Sequence, residues 1–128
     1  MTIADLCLLA AVILTIASIA PAKLDGREFD NANPRDPGYY KPGLRARSQG
    51  AHMNGFEAFP FFAAAVILAE MRGASQGAVN ALAVAFILAR IVYVVLYLTN
   101  RPTARSLVWS AALLINVGIF FSPVWAGR

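Results

Sequence analysis

The chain has 128 residues, of which 59% are apolar and 14% charged, against about 45–50% and 25% in globular proteins. It carries 11 Lys and Arg, 7 Asp and Glu and a single Cys, and ten of its charged residues crowd into positions 23–47. Such a chain is neither disordered nor a soluble nucleic-acid-binding domain, and Cys7 alone closes no intramolecular bridge that would staple a small secreted domain. The net charge of +4 is no nucleic-acid footprint either, because the positive residues sit at the edges of apolar runs.

The apolar runs give the elements in chain order. Residues 6–22 are uncharged, as are 58–69, 73–89, 91–100 and 106–127. A helix that spans a bilayer needs roughly 20 mainly apolar residues. The spacing predicts four spanning helices, over 3–22, 47–71, 75–99 and 104–126, in a single domain covering 1–128. Ala20-Pro21-Ala22 loosely resembles a signal-peptide cleavage site, but the only side-chain charge ahead of it is Asp5, and a signal peptide wants a positive start. The first run is therefore read as a span. Gly73 suits a tight turn after Arg72, and Pro102 suits the end of one helix and the start of the next. Short links make neighbours antiparallel, so the expected fold class is an all-α membrane protein, an up-down, left-handed four-helix bundle. The exception is residues 23–46, rich in turn signals at Asn33-Pro34-Arg35, Asp36-Pro37-Gly38 and Lys41-Pro42-Gly43. Composition alone reads this loop equally as a functional segment or as a floppy solvated linker.

Orientation follows from the Lys and Arg on each side. Lys23, Arg27, Arg35, Lys41, Arg45 and Arg47 in the first loop, with Arg101 and Arg105 near the third, make eight, against Arg72 and Arg128 opposite. The first and third loops, 23–46 and 100–103, are expected in the cytoplasm and both termini outside.

The residues that break hydropathy carry the functional signal, since ionisable groups within spans are costly and face the bundle interior or a water-filled cavity. At about 100° per residue, Arg47, Gly50, Asn54, Glu57 and Phe61 share one stripe of the second helix, and Arg90, Tyr93, Tyr97 and Arg101 one stripe of the third. Glu57 lies roughly 20 Å in from Glu70 at the outer end of its helix, and Arg90 roughly 21 Å in from Gln76. Opposite charges at matching depth allow two readings. One is a structural Glu57–Arg90 ion pair that sets helix register, with the tyrosines as interfacial belt residues. The other is an anion-binding pocket in the cytoplasmic half, where arginines hold carboxylates and Glu57 accepts from an ammonium or an arginine. A small zwitterion with more than one carboxylate suits that lining. Pro60 is expected to kink the second helix. His52 and Cys7 read as packing residues, and no ligand spacing supports a metal. There is no phosphate loop, dinucleotide fingerprint or supported Ser-His-Asp pattern.

At these residues the sequence resembles the short bacterial members of the MAPEG family, the membrane-associated proteins of eicosanoid and glutathione metabolism. The family's Asn-x-x-Glu-x-Phe-Pro stands here as Asn54, Glu57, Phe59 and Pro60, and its Arg-x-x-Tyr-x-x-x-Tyr as Arg90, Tyr93 and Tyr97, followed by Arg105. Asn33-Pro34-Arg35 also resembles the bacterial branch. The resemblance implies a homotrimer in the lipid bilayer, in a bacterial inner membrane, with glutathione bound between subunits on the cytoplasmic side. It implies Arg47, Asn54, Glu57, Arg90, Tyr93 and Tyr97 as binding residues and Arg105 as the group that stabilises the thiolate, with Arg101 nearby as the other candidate. The activity implied is a glutathione transferase or peroxidase acting on hydrophobic small molecules that enter from the bilayer. One departure is Gly50, where relatives often carry an arginine; Arg47 lies one turn further out. The alternative is a non-catalytic accessory or lipid-binding subunit with the same fold. A small multidrug exporter would place its essential carboxylate in the first helix, which has none beyond Asp5.

Overall fold

A computed structural model describes residues 1–41 and 43–127; Pro42 of the third turn signal and Arg128 of the charge count lie outside them. The described residues form five helices: α1 (Ile3–Ala17), α2 (Ala20–Leu24), α3 (Gly43–Met71), α4 (Gln76–Leu98) and α5 (Pro102–Trp125). Four segments, α1 with α2, α3, α4 and α5, are each long and apolar enough to cross a membrane.

α1 starts at a capping box: the Thr2 hydroxyl accepts from the Asp5 amide at 3.0 Å, and the Thr2 amide donates to Asp5 Oδ2 at 2.6 Å. The first span is not one helix over 3–22. It breaks after Ala17 because Pro21, four residues on, has no N–H to donate and its ring crowds that carbonyl. α2 begins two residues later, and the buried Ser48 in the second turn of α3 holds the junction by donating to the Ser18 carbonyl at 2.6 Å and accepting from the Ala22 amide at 3.3 Å. α3 opens at Gly43, four residues before the expected 47, since polar residues extend a helix beyond its apolar run. It runs through Pro60 without a break. α5 opens at Pro102 rather than 104, with the proline in its first turn, where a missing N–H costs nothing.

α3 and α4 pack together, and α1 and α5 each pack on both of them. Contacts at the helix ends give the directions. The start of α1 meets the end of α3 through Thr2 Oγ1 to Glu70 at 3.2 Å, and the start of α3 meets the end of α4 through Arg47 Nε to the Leu98 carbonyl at 3.1 Å. Ser75, just ahead of α4, donates to Ala126 at the end of α5 at 2.6 Å. Successive spans are thus antiparallel. Small residues line the contacts, which lets backbones approach closely. At Gly55 an added Cβ would meet Thr15 Oγ1 of α1 at 2.5 Å. In the core Phe62 stacks on Phe86 with ring centroids 4.1 Å apart, among Ala65, Val66, Val79, Ala83 and Ile119. Leu6, Leu9, Ile13 and Ile16 face outward on α1, and Leu114, Phe121 and Val124 on α5, as a lipid solvent allows.

The long connection is not a floppy linker. The Tyr39 hydroxyl donates to the Ala22 carbonyl at 2.5 Å, and Tyr39 and Tyr40 are buried against Phe29. Arg45 lies over the Tyr39 ring, pairs with Asp25 at 2.7 Å and Glu28 at 3.5 Å, and donates to the Arg27 carbonyl. Burial, followed by the neighbouring Tyr39, pushes the Tyr40 phenol up from its ordinary pKa.

Candidate functional site

The two polar stripes meet between α3, α4 and α5. Arg90 on α4 is only 5% exposed. Its Nη2 donates to Asn54 Oδ1 at 2.9 Å, and Asn54 Nδ2 donates to Glu57 Oε2 at 3.1 Å. The expected Glu57–Arg90 ion pair therefore does not form; one amide stands between the charges. Asn54 sits one turn before Glu57 on the same stripe and reaches the guanidinium first, while Glu57 stays exposed. The ion pairs among the described residues belong to Arg45.

From Arg90 a ladder runs along α4 toward the loop end. The Arg90 guanidinium lies 4.2 Å over the Tyr93 ring, Tyr93 meets Tyr97 edge-on at 5.7 Å, and the Arg105 guanidinium lies 4.2 Å over the Tyr97 ring. The i, i+3 and i+7 spacing puts Arg90, Tyr93 and Tyr97 on one face. The short connection between α4 and α5 then returns the chain so that α5 lays Arg105 against that face. Neither Arg90 nor Arg105 meets a carboxylate among the described residues. Cations held in a largely apolar bundle without a counter-ion are a strong electrostatic invitation to an anion.

Two hollows adjoin the ladder. The outer one, about 420 Å³, is walled by Asn54, Tyr93, Tyr97, Arg105, Ser106 and Trp109. The inner one, about 160 Å³, lies deeper, with Asn54, Glu57, Phe61, Arg90, Trp109 and Asn116 among its walls. Six of the expected site residues, Asn54, Glu57, Arg90, Tyr93, Tyr97 and Arg105, thus gather around two hollows that share Asn54 and Trp109. Arg47 does not join them; its side chain closes the end of α4 at Leu98. Arg101 is exposed and lines a separate hollow beside Asn100 and Pro102. Gly50 is explained by contact: a Cβ there would overlap the Tyr97 hydroxyl, so the glycine makes room for that phenol. His52 packs, its Nδ1 at 2.6 Å from the Thr15 carbonyl and its ring edge-on to Phe56.

Sequence reasoning missed Ser106, Trp109 and Asn116. Asn116 had a signal, being the one carboxamide in the uncharged run 106–127. It is 3% exposed and its Oδ1 has no hydrogen-bond partner among the described residues.

Four apolar spans, each long enough to cross a bilayer, define a polytopic integral membrane protein. The MAPEG family model matches residues 3–125, nearly the whole chain, and the chain belongs to that family of membrane proteins of eicosanoid and glutathione metabolism. Comparison with curated proteins and with solved structures finds no match.

Proposed function

We propose that the protein binds glutathione across the outer cleft and the adjoining inner hollow and uses it to modify lipophilic electrophiles, as a membrane-bound transferase or peroxidase. The observation that carries this is the Arg90–Tyr93–Tyr97–Arg105 ladder: Arg105 borders the outer cleft and Arg90 the adjoining inner hollow, and neither guanidinium meets a carboxylate among the described residues. The cleft volume falls in the range of small-molecule sites, about 300–1,000 Å³. The donor set suits a tripeptide with two carboxylates, one ammonium and a thiol. Arg90 and the phenols of Tyr93 and Tyr97 donate to carboxylates, and Glu57 accepts from the ammonium while Asn54 fixes its orientation.

When bound, glutathione supplies the sulfur nucleophile. Arg105 acts on it electrostatically. A guanidinium does not give up its proton, so Arg105 is no base; its charge favours the thiolate and draws the thiol pKa down from about 8.5. Stacking on Tyr97 holds the guanidinium plane while leaving its N–H groups free to donate. Arg105 rather than Arg101 takes this role because it borders the cleft. The excess of Lys and Arg beside the loop end supports a cleft mouth on the cytoplasmic side, and the family resemblance supports a homotrimer with the thiol site between subunits.

The test is thiolate formation. Glutathione is added to the purified protein in detergent near neutral pH, thiolate absorbance is followed, and oligomer size is measured by light scattering. A signal that vanishes in Arg105→Ala with the oligomer unchanged supports an activated thiol. Glutathione binding without any thiolate signal moves the protein to a non-catalytic role. No binding at all removes the transferase proposal.

A further inference from the structure

The net charge of +4 belongs wholly to one end of the bundle. Residues 23–47 and 101–105 hold eight Lys and Arg against four Asp and Glu, and the rest of the chain holds three of each. At this end Lys23, Arg27, Lys41 and Arg101 are exposed, and each lies within three residues of the end of a membrane-spanning segment. None of them meets a carboxylate among the described residues. The acids nearest the spans are already taken. Arg45 pairs with both Asp25 and Glu28 and donates to the Arg27 carbonyl, which fixes the backbone there and leaves the charges of Lys23 and Arg27 uncompensated. Asp30 and Asp36 lie at least six residues from any span end, and each accepts from its own loop, from the amides of Ala32 and Gly38. Leu24, beside Lys23 at the end of the first span, is 84% exposed. Arg101 lines an open hollow with Asn100, Pro102 and Thr103. The hydrocarbon core of a bilayer is about 30 Å thick and the headgroup layers bring it to about 40–45 Å, so charges this close to the span ends lie among the headgroups.

We infer that the loop end is a binding surface for anionic phospholipids, with Lys23, Arg27, Lys41 and Arg101 holding headgroup phosphates and Leu24 set among the acyl chains. The occupant is the bilayer rather than a soluble anion, because the cations sit at the span ends with an exposed leucine among them. The surface is preformed. Arg45 neutralises the acids that would repel such a lipid and holds the loop that carries the cations. The inference uses none of the residues proposed for the thiol and does not depend on that reading.

The full chain is reconstituted in phosphatidylcholine bilayers with a trace of spin-labelled phosphatidylglycerol or spin-labelled phosphatidylcholine. The motionally restricted fraction of each label gives the relative affinity for the two headgroups. A cation near the membrane surface favours an anionic lipid about fivefold, so the expected preference for phosphatidylglycerol is about threefold when averaged over both ends of the bundle. Arg101→Gln lowers the preference, and Lys23→Gln with Arg27→Gln lowers it further; these side chains are exposed, so the fold does not depend on them. Arg72→Gln removes the same single charge at the opposite end and leaves the preference unchanged. Inorganic phosphate displaces no more lipid than chloride at equal ionic strength. Absence of a preference overturns the inference and leaves the cations to a soluble acidic partner. Equal losses in Arg101→Gln and Arg72→Gln also overturn it, because net charge and not this surface is then acting. Displacement by phosphate beyond the effect of chloride makes the surface a small-anion site and overturns the lipid assignment.

Discussion

Replacing Arg90 by methionine separates a structural cation from one kept for a ligand. A buried ion pair that loses one member costs about 3–5 kcal/mol, because the other charge is left uncompensated. Arg90 has no such partner. Its burial carries a desolvation cost of several kcal/mol, set against a charge-assisted bond to Asn54 of about 1.5–3 kcal/mol and a cation–π contact with Tyr93 of up to about 2 kcal/mol. These nearly cancel. Arg90→Met keeps the stem length, removes the charge and leaves the half-buried Asn54 amide to Glu57 and water. The ligand-free protein should change in stability by no more than about 1 kcal/mol, or about 4 °C in Tm for a domain of this size. Glutathione affinity should fall about 10- to 150-fold, the loss of one or two charge-assisted bonds. Thermal unfolding in detergent and titration calorimetry measure the two. A Tm loss above about 12 °C with intact binding in the surviving protein would refute the reasoning and make Arg90 a structural post.

Gly50→Ala forces the Tyr97 hydroxyl aside, since the new Cβ overlaps it. Alanine's helix propensity offsets about 1 kcal/mol of the strain, so Tm should barely move while glutathione affinity drops several-fold as Tyr97 and Arg105 part. Gly55→Val drives a branched side chain into Thr15 across the α1–α3 contact and should destabilise by about 1–3 kcal/mol, read as a lower Tm. Tyr39→Phe removes the bond to the Ala22 carbonyl; the loop should become more susceptible to proteolysis, by an opening free energy about 1–3 kcal/mol lower. Asp25→Asn should do much less, because that carboxylate is half-exposed and water screens its pair with Arg45. Burial raises the Tyr40 pKa above that of the unfolded chain. Loop docking is therefore fully present below the ordinary phenol value of about 10 and is lost as pH rises from there through the raised value. Proteolysis against pH should show this step, and Tyr40→Phe should remove it.

The number of spans, their order and their antiparallel sense were legible in the sequence, because membrane helices must be apolar over a fixed length and their links here are short. Depth was legible too, since rise per residue is constant: Glu57 and Arg90 do lie at one level, near enough to share Asn54. What depth leaves open is rotation about each helix axis and the reach of individual side chains. Tertiary packing decided that Asn54 reaches Arg90 ahead of Glu57, that Arg47 closes α4 while Arg105 stacks on Tyr97, and that Tyr97 uses the space Gly50 leaves. It also decided that Asn116, visible in the sequence as a lone amide in an apolar run, faces a hollow. The break after Ala17 was available in Pro21, and hydropathy concealed it, because an apolar run says how long a segment is and nothing about whether its backbone bonds can all be made. The loop's order depended on contacts among Ala22, Tyr39 and Arg45 that composition does not contain. Hydropathy and helix geometry are local properties and can be read along the chain, whereas the partner of each polar group depends on which neighbouring helix face arrives opposite it.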